Sequence, residues 1–433
     1  MGFSIIRIEG EQAMSSDVDD SRTAGIGSLP ETVRSGQLVV CEEAARDGAQ
    51  AKTLLLASER IELFRRTSEV LGEAAETSLV SMVGFPAIGP EEQAVIQETT
   101  DGFRVGYQQV VCRTIAEDIT QGIALMRSAH AGRVLFVVPA SEKLAGPMLH
   151  LTPEQALKRA HELLGEALDV AAGEVAVDVC LADIAHADPG HLVDAANALT
   201  HAGAEVVMLA DTVGGFHLTQ QRQLMERLAR ERDEEVVFHA HFHNDLGLAS
   251  ALNLQALQTG VRMFGTSWLG LGERVGLGHT EELLAQLVTA SDAQLADLGT
   301  ERESLGVHHW NPEQIRPTAA WLSSVLELPR RITDPFVGTG VNAISTGTPF
   351  VDPQAFQPYD ASRLLGKAQS VELTHLASSR VIAAILEELD EVVTDAEVRA
   401  LRSWTKAEVY ERGVATLPKS ALRDALHRLR SLV

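Results

Sequence analysis

Short apolar runs rich in β-branched residues alternate with longer amphipathic stretches from about residue 36 to residue 290. Such runs are typical of buried β-strands, and the intervening stretches have helical periodicity. Eight units of this kind predict an α/β fold, a closed (β/α)8 or TIM barrel, with its chemistry at the C-terminal ends of parallel strands. A doubly wound open sheet is the alternative. The predicted strands are residues 38–42, 78–85, 105–112, 133–139, 174–181, 205–209, 235–243 and 263–269.

Two helix starts have the sequence of a capping box, Thr152-Pro-Glu-Gln155 and Thr394-Asp-Ala-Glu397. Beyond about residue 300 the strand alternation stops, and a Pro- and Gly-rich stretch separates helical segments. The chain is therefore predicted to have three parts: a flexible N-terminal arm at 1–34, a barrel domain at 35–298, and helical C-terminal subdomains at 299–433.

Composition excludes several classes of protein. Of the 433 residues, 45% are hydrophobic and 22% are charged, as in globular proteins, and no apolar run approaches the roughly 18 residues of a membrane span. The net charge of -24 argues against nucleic-acid binding. Three widely spaced cysteines without a C-x-x-C pattern indicate neither a disulfide framework nor a structural zinc site, which fits a reducing cytoplasm.

Two histidines stand out because His241 and His243 lie two residues apart in a predicted strand. Side chains at i and i+2 leave the same face of a strand, and a pair of imidazoles suits a divalent metal. A lone histidine is more often a core or surface residue, but two on one face favour a ligand pair. Asp47 follows strand one. In a closed barrel only strand eight separates strand one from strand seven, so Asp47 and the two histidines can reach one ion. One oxygen and two nitrogen ligands leave positions open for substrate, as in catalytic sites.

Several motifs occur in order over residues 36–290. They are Arg46-Asp47-Gly48-x-Gln50, Val83-Gly84-Phe85-Pro86, Arg113, Asp211-Thr212-Val213-Gly214, His241-x-His243-Asn-Asp-x-Gly247 and Gly270-Leu271-Gly272-Glu273-Arg274. Together these motifs resemble the barrel metallolyase superfamily, which includes isopropylmalate, homocitrate and citramalate synthases and hydroxymethylglutaryl-CoA lyase. The Gly270–Arg274 motif resembles that of the synthase branch.

The resemblance implies a divalent metal, Mg, Mn, Zn or Co, held by Asp47, His241 and His243. It also implies a 2-oxo acid chelated through its carboxylate and carbonyl, an acyl-CoA as the other partner, and a homodimer formed through the C-terminal helical region. Acyl-CoA and oxo acid would undergo a Claisen-type condensation to a 2-hydroxy acid and CoA. The implied substrate contacts are Arg46, Gln50, Arg113 and Thr212.

The chain departs from the family pattern around these ligands. Met82 and Ala182 stand where synthases carry glutamates, and Leu277 replaces an asparagine near the metal. Pro349, in Gly347-Thr348-Pro349, replaces the histidine of the helical region. Losing a general acid or base costs about two to four orders of magnitude in rate. The groups predicted to act in catalysis are Arg46, Asp183 and Tyr359, with His186 as a further candidate.

Three functions follow from this combination. The first is a metal-dependent acyltransferase that joins an acyl-CoA, acetyl-CoA in the simplest case, to an unusual 2-oxo acid. The second is a carbon–carbon lyase or aldolase that works through an enolate. The third is a catalytically silent relative with a binding role, which the retention of all three metal ligands disfavours.

Overall fold

Eight parallel strands close into a barrel in the computed structural model, which describes residues 28–345 and 356–431. The strands pair in chain order, and the last pairs with the first, with Val39 opposite Met263. This closure confirms the predicted TIM barrel and excludes the open sheet. The strands are β1 (Val39–Glu42), β2 (Leu79–Gly84), β3 (Tyr107–Cys112), β4 (Gly132–Pro139), β5 (Ala176–Ala182), β6 (Val207–Asp211), β7 (Phe238–Phe242) and β8 (Met263–Thr266).

Helices cover the outside of the barrel and bury their apolar faces on the strands. The capping box predicted at Thr152 is present, with Thr152 Oγ1 accepting a hydrogen bond from the amide of Gln155 at 3.3 Å. The helices as far as the last strand are α1 (Leu29–Arg34), α2 (Ala57–Leu71), α3 (Ala75–Ser78), α4 (Pro90–Gly102), α5 (Ala116–Met126), α6 (Glu142–Leu149), α7 (Pro153–Ala171), α8 (Pro189–His201), α9 (Leu218–Glu231) and α10 (Ala249–Leu257).

The first described helix corrects one prediction. Residues 29–34 were expected to belong to a flexible arm, but they form α1, and Leu29 and Val33 are buried in the same cluster as side chains inside the barrel. Apolar residues at a spacing of four share one helix face, so even this short helix can cover the N-terminal end of the barrel.

The region after the barrel is mostly helical and contains a small two-stranded parallel sheet. Its last helices share a core of their own, in which Ile385 and Leu422 are fully buried. Pro349 lies outside the described residues. After β8 come α11 (Thr280–Thr289), which is the last outer helix of the barrel, α12 (Asp292–Asp297), α13 (Arg302–Leu305), α14 (Ile315–Val325), β9 (Ala343–Ile344), α15 (Ala361–Leu365), β10 (Ser370–Val371), α16 (Ser379–Glu388), α17 (Asp395–Arg412) and α18 (Lys419–Ser431).

Across residues 28–345 and 356–431, no helix has both the length and the apolar character that a bilayer-spanning segment needs.

A buried ion pair explains the glycine at the end of β2. Arg60 on α2 donates to both carboxylate oxygens of Glu92 on α4, at 2.9 and 2.8 Å, and also to the carbonyls of Leu55 and Val83. A Cβ on Gly84 would lie 2.2 Å from Glu92 Oε1 and 2.8 Å from Arg60 Nη1. The Val-Gly-Phe-Pro motif therefore serves packing between β2 and its helices.

Candidate metal centre

A cavity of about 160 Å³ opens among the C-terminal ends of the barrel strands. One side of it is polar and carries most of the predicted site, and the remaining wall is apolar. The polar lining consists of Glu43, Arg46, Asp47, Gln50, Thr212, His241, His243 and Glu273. The apolar lining consists of Met82, Leu135, Val137, Leu144, Met148, Cys180, Ala182, Met208 and Ala210.

Asp47, His241 and His243 meet at this cavity, and one ligand atom from each lies within 4.8 Å of the others. His241 points into the barrel because β7 alternates, with Phe238, Ala240 and Phe242 facing the helices. His243 lies one residue beyond β7. All three metal-ligand candidates are buried, at 2–5% exposure.

Glu43 holds His241 in place. Its Oε1 lies 2.8 Å from Nδ1 of His241, and both side chains are buried. Although burial disfavours the charged form, the His241 imidazole lowers the pKa of Glu43 to about 2. A carboxylate at Nδ1 fixes the proton on that nitrogen and directs the lone pair of Nε2 into the cavity. Glu43 therefore orients His241 so that Nε2 faces His243.

The two candidate metal-ligand histidines face each other, with Nε2 of His241 3.3 Å from Nε2 of His243. Two imidazole nitrogens at this distance need a proton or a cation between them. Burial, together with the neighbouring His241, lowers the pKa of His243. A neutral imidazole is the form that coordinates a metal. The donor set of one carboxylate and two imidazoles fits a divalent cation.

The loop after β8 holds Asp47. The backbone amide of Glu273 donates to Asp47 Oδ1 at 2.8 Å, and Arg46 Nη1 donates to Asp47 Oδ2. Arg274 then binds Asp245 through two nitrogens, each at 2.9 Å, and also donates to the carbonyl of Thr212. The Gly270–Arg274 motif therefore connects the Asp47 carboxylate to the loops after β6 and β7.

The departures from the family pattern leave apolar groups around the centre. Met82 and Ala182 line the cavity, and neither can exchange a proton. Leu277 is fully buried and pairs with His243 in an isolated antiparallel bridge, so it lies beside the ligand without offering a donor atom.

Arg46, Gln50 and Thr212, predicted as substrate contacts, line the cavity, but Arg113 is not among its described lining residues. Arg113 follows β3 at the correct end of the barrel. Its side chain is 57% exposed and pairs with both oxygens of Asp118 at the start of α5. A local carboxylate five residues away therefore binds this guanidinium.

Asp183 and Tyr359, predicted to act in catalysis, also lie outside the described lining of the cavity. Asp183 has a φ of 63°, which turns its carboxylate toward Ser141 Oγ, at 2.5 Å, and His186 Nδ1, at 2.7 Å. Tyr359 is half-buried and stacks on Phe336, with ring centroids 5.4 Å apart. It lies in a separate pocket beside Leu254 and Gln286, on the outer helices of the barrel.

Glu43 and His239 are two site-forming residues that the sequence-based prediction did not include. His239 precedes His241 by two residues, and Glu43 lies two residues beyond the inward-facing Cys41 on β1. Alternate side chains of a strand share one face, and this rule relates His239 to His241 and Glu43 to Cys41. Its use at these positions would have placed both side chains inside the barrel.

Comparisons with known proteins agree with this geometry. The HMGL-like family model matches residues 37–305. A 2-isopropylmalate synthase from Solidesulfovibrio magneticus is 25% identical over 369 residues, covering 84% of this chain and 68% of that protein. A homocitrate synthase from Sulfolobus acidocaldarius is 26% identical over 275 residues, covering 62% of this chain and 56% of that protein.

Among solved structures, a hydroxymethylglutaryl-CoA lyase from Pseudomonas aeruginosa shares the fold, with a TM-score of 0.52 and 21% identity. The match covers 67% of this chain and 93% of that chain. The chain spans about half to two thirds of the length of the curated relatives it matches, from 48% for a 2-isopropylmalate synthase from Dechloromonas aromatica to 68% for that from Solidesulfovibrio magneticus. The family match contains every barrel strand from β1 to β8 and confirms the resemblance seen in the motifs: the chain belongs to the HMGL-like family.

Proposed function

We propose that this protein condenses an acyl-CoA, acetyl-CoA in the simplest case, with a small 2-oxo acid that carries an apolar side chain. The products are a 2-hydroxy acid of the malate type and CoA. The observation that carries the proposal is the convergence of Asp47, His241 and His243 within 4.8 Å at a cavity whose other wall is apolar. Curated relatives named 2-isopropylmalate synthase and homocitrate synthase support the reaction class.

Asp47, His241 and His243 would hold the divalent cation, Mg, Mn, Zn or Co. When bound there, the cation supplies Lewis-acid polarisation of the oxo acid. Arg46 lies in the wall beside Asp47 and would balance the acceptor's negative charge. Gln50 and Thr212 offer hydrogen bonds on the same side. These side chains would orient the carbonyl carbon toward the entering acyl group.

The reaction balances without an external oxidant or reductant. The acyl-CoA loses an α-proton to a base, and its α-carbon forms a bond to the carbonyl carbon of the oxo acid, whose oxygen becomes a hydroxyl. Water then cleaves the thioester and releases CoA as a thiol. Among the carboxylates that line the cavity, Glu43 is paired with His241 and Asp47 with Arg46. Glu273 is half-exposed at the cavity wall, and its ion pair with Arg274, 3.6 Å between Nη1 and Oε2, is longer than the contacts of the other two carboxylates, so we assign the base to Glu273.

The size and lining of the cavity select the acceptor. Its volume of about 160 Å³ is below the roughly 300–1,000 Å³ of sites that enclose drug-sized ligands. Methionine, leucine, valine and alanine side chains form the wall opposite the ligands. A short aliphatic 2-oxo acid therefore fits better than a dicarboxylic one, because burying an unpaired carboxylate there is costly.

A carbon–carbon lyase or aldolase is the second candidate, and Ala182 is the observation that favours it. It lines the cavity where the resemblance to synthases implies a glutamate, and a retro-aldol cleavage needs no group to activate water for thioester hydrolysis.

We place this activity in the cytoplasm and in a homodimer formed through the C-terminal region. All three cysteines are free and buried. Several apolar side chains of the C-terminal region are exposed, including Val392 at 88% and Tyr410 at 75%. Tyr359 lies against the outer helices of its own barrel. It could act in catalysis only if it reached the cavity of the second chain in the homodimer.

Release of free thiol from acetyl-CoA tests the proposal. Purified protein with Mn²⁺ would be assayed with pyruvate, 2-oxoisovalerate, 2-oxoglutarate and a phosphonate analogue. We expect 2-oxoisovalerate to stimulate release more than 2-oxoglutarate, and Asp47→Asn to abolish the stimulation. Glu273→Gln should lower the maximal rate by about two to four orders of magnitude if Glu273 is the base. If no acceptor stimulates release while a 3-hydroxy acid is cleaved, the lyase is correct.

A further inference from the structure

A second cluster of potential ligands lies directly below the candidate metal centre, inside the barrel. It consists of Cys41, Glu43 and His239, and one ligand atom from each lies within 4.8 Å of the others. Cys41 lies on β1, Glu43 follows the last residue of that strand, and His239 lies on β7 two residues before His241. All three side chains are buried, at 0–1% exposure.

The neighbouring strand makes room for this convergence. Gly265 on β8 lies between β1 and β7 and pairs with both Cys41 and His241. A Cβ there would lie 2.3 Å from Glu43 Oε1, 3.0 Å from His239 Nε2 and 3.0 Å from His241 Nδ1. Only a residue without a side chain lets these polar atoms approach one another across the barrel interior.

The imidazole of His239 indicates a ligand. Its Nε2 is buried and has no hydrogen-bond partner among the described residues. Leaving a buried polar atom unpaired is costly, and an apolar side chain in this interior would avoid that cost. The unpaired nitrogen lies near the Glu43 carboxylate, since both would contact a Cβ at Gly265, and His239 clusters with Cys41 and Glu43. A cation bound among the three would satisfy it.

We infer that Cys41, Glu43 and His239 form a second divalent cation site. Thiolate, imidazole and carboxylate together are the donors preferred by Zn²⁺ and similar borderline-soft ions. Cys41 would lose its proton to solvent as the ion binds, because the thiolate is the ligand. Glu43 also lines the cavity above, so an ion can reach the site from there.

Glu43 would connect the two centres. It contacts His241 Nδ1 at 2.8 Å and also belongs to the lower cluster. An ion bound by Cys41, Glu43 and His239 would draw electron density from the Glu43 carboxylate, which supports His241. Metal binding at this lower site should therefore change the metal affinity of the upper centre. The lower site does not depend on the proposed function, since it requires neither an acyl-CoA nor an oxo acid.

Cobalt substitution tests the second site. Chelator-treated protein would be titrated with Co²⁺ and followed by the thiolate-to-cobalt charge-transfer absorption in the near ultraviolet. We expect two Co²⁺ per chain and a charge-transfer band. Cys41→Ser should remove the band and one equivalent of Co²⁺. Cys180→Ser is the matched control, because Cys180 is the buried cysteine that lines the upper cavity, and this variant should keep the band.

Further variants separate this site from the upper one. Asp47→Asn should lose the upper equivalent and keep the band, whereas His239→Gln should lose the band with Cys41 still present. Circular dichroism would verify the fold of each variant. Wild-type protein that binds Co²⁺ without a charge-transfer band, or Cys41→Ser protein that keeps the band, would overturn the inference. Either result would leave the upper centre and the proposed condensation intact.

Discussion

Nδ1 of His241 lies 2.8 Å from Oε1 of Glu43, and both side chains are buried inside the barrel. This contact joins β7 to β1 and sets which nitrogen of His241 faces the cavity. A hydrogen-bonded carboxylate behind a ligating imidazole fixes its orientation and increases its basicity. We therefore regard the contact as part of the metal centre.

Replacing Glu43 by glutamine should weaken metal binding without removing a predicted ligand of the upper centre. We expect the Mn²⁺ affinity of Glu43→Gln to fall by roughly 10–100-fold, as for other supporting carboxylates behind ligating histidines. Isothermal titration of metal-free protein with Mn²⁺ measures the change. Glu231→Gln, on the outer surface of α9, is the control and should bind as wild type does. Wild-type affinity in Glu43→Gln would refute the role given to this carboxylate.

The Gly84 backbone should tolerate no side chain. Alanine there would place its Cβ 2.2 Å from Glu92 Oε1 and separate the buried Arg60–Glu92 pair. We expect Gly84→Ala to lower the free energy of unfolding by on the order of 3 kcal/mol, measured by urea denaturation. Gly165→Ala is the control, since no atom lies within 4 Å of its added Cβ, and it should be neutral or slightly stabilising. A Gly84→Ala protein as stable as wild type would contradict the packing described here.

Glu42 should make stability fall as pH rises. Burial raises its pKa to about 8, while Thr280 and two backbone amides donate hydrogen bonds to it. A raised folded-state pKa gives a contribution that is complete below the unfolded pKa near 4.5 and is lost as pH rises toward 8. Each pKa unit is worth about 1.4 kcal/mol, so the full loss is on the order of 5 kcal/mol.

Glu42→Gln imitates the protonated side chain and should remove this dependence. The variant should match wild type at pH 5 and be the more stable protein at pH 8, as measured by urea denaturation across that range. The exposed Glu411→Gln should follow wild type throughout. If the free energy of unfolding depended on pH in the same way in wild type and in Glu42→Gln, Glu42 would be ionised in the folded protein at pH 5, contrary to this prediction.

The apolar wall should determine acceptor size. Met208 is buried and lines the cavity, and its truncation enlarges the space beside the metal ligands. We expect Met208→Ala to shift the ratio of kcat/KM values toward a longer aliphatic 2-oxo acid by about tenfold, within the range that one or two methylenes supply. Met225→Ala, buried on α9 in the outer layer, should leave the ratio unchanged. An unchanged ratio in Met208→Ala would mean that the acceptor binds elsewhere.

The barrel was predictable because its signals are local and repeated. Each strand is a short apolar run, and alternation along one strand is sufficient to place His241 and His243 on one face. Asp47 then follows from the order of strands in a closed barrel. These steps use periodicity and topology, and the observed register of β7 with β8 agrees with them.

The positions of Arg113, Asp183 and Tyr359 were not predictable in the same way, because tertiary contacts decide them. Asp118 binds Arg113, a left-handed backbone turns Asp183 toward Ser141, and Phe336 stacks on Tyr359. None of these contacts leaves a periodic signal. The cluster of Cys41, Glu43 and His239 was missed for a different reason. The spacing of His239 from His241 is visible in the sequence, but Cys41 and Glu43 come from a different part of the chain.

Binding of Mn²⁺ to wild type and to His243→Ala is the most direct test of the metal centre at Asp47, His241 and His243. Mn²⁺ suits this set of donors better than the thiolate cluster below. Isothermal titration of metal-free protein should give one Mn²⁺ site per chain in the wild type and at least a 100-fold weaker interaction in His243→Ala. Equal affinity and stoichiometry in the two proteins would contradict the account.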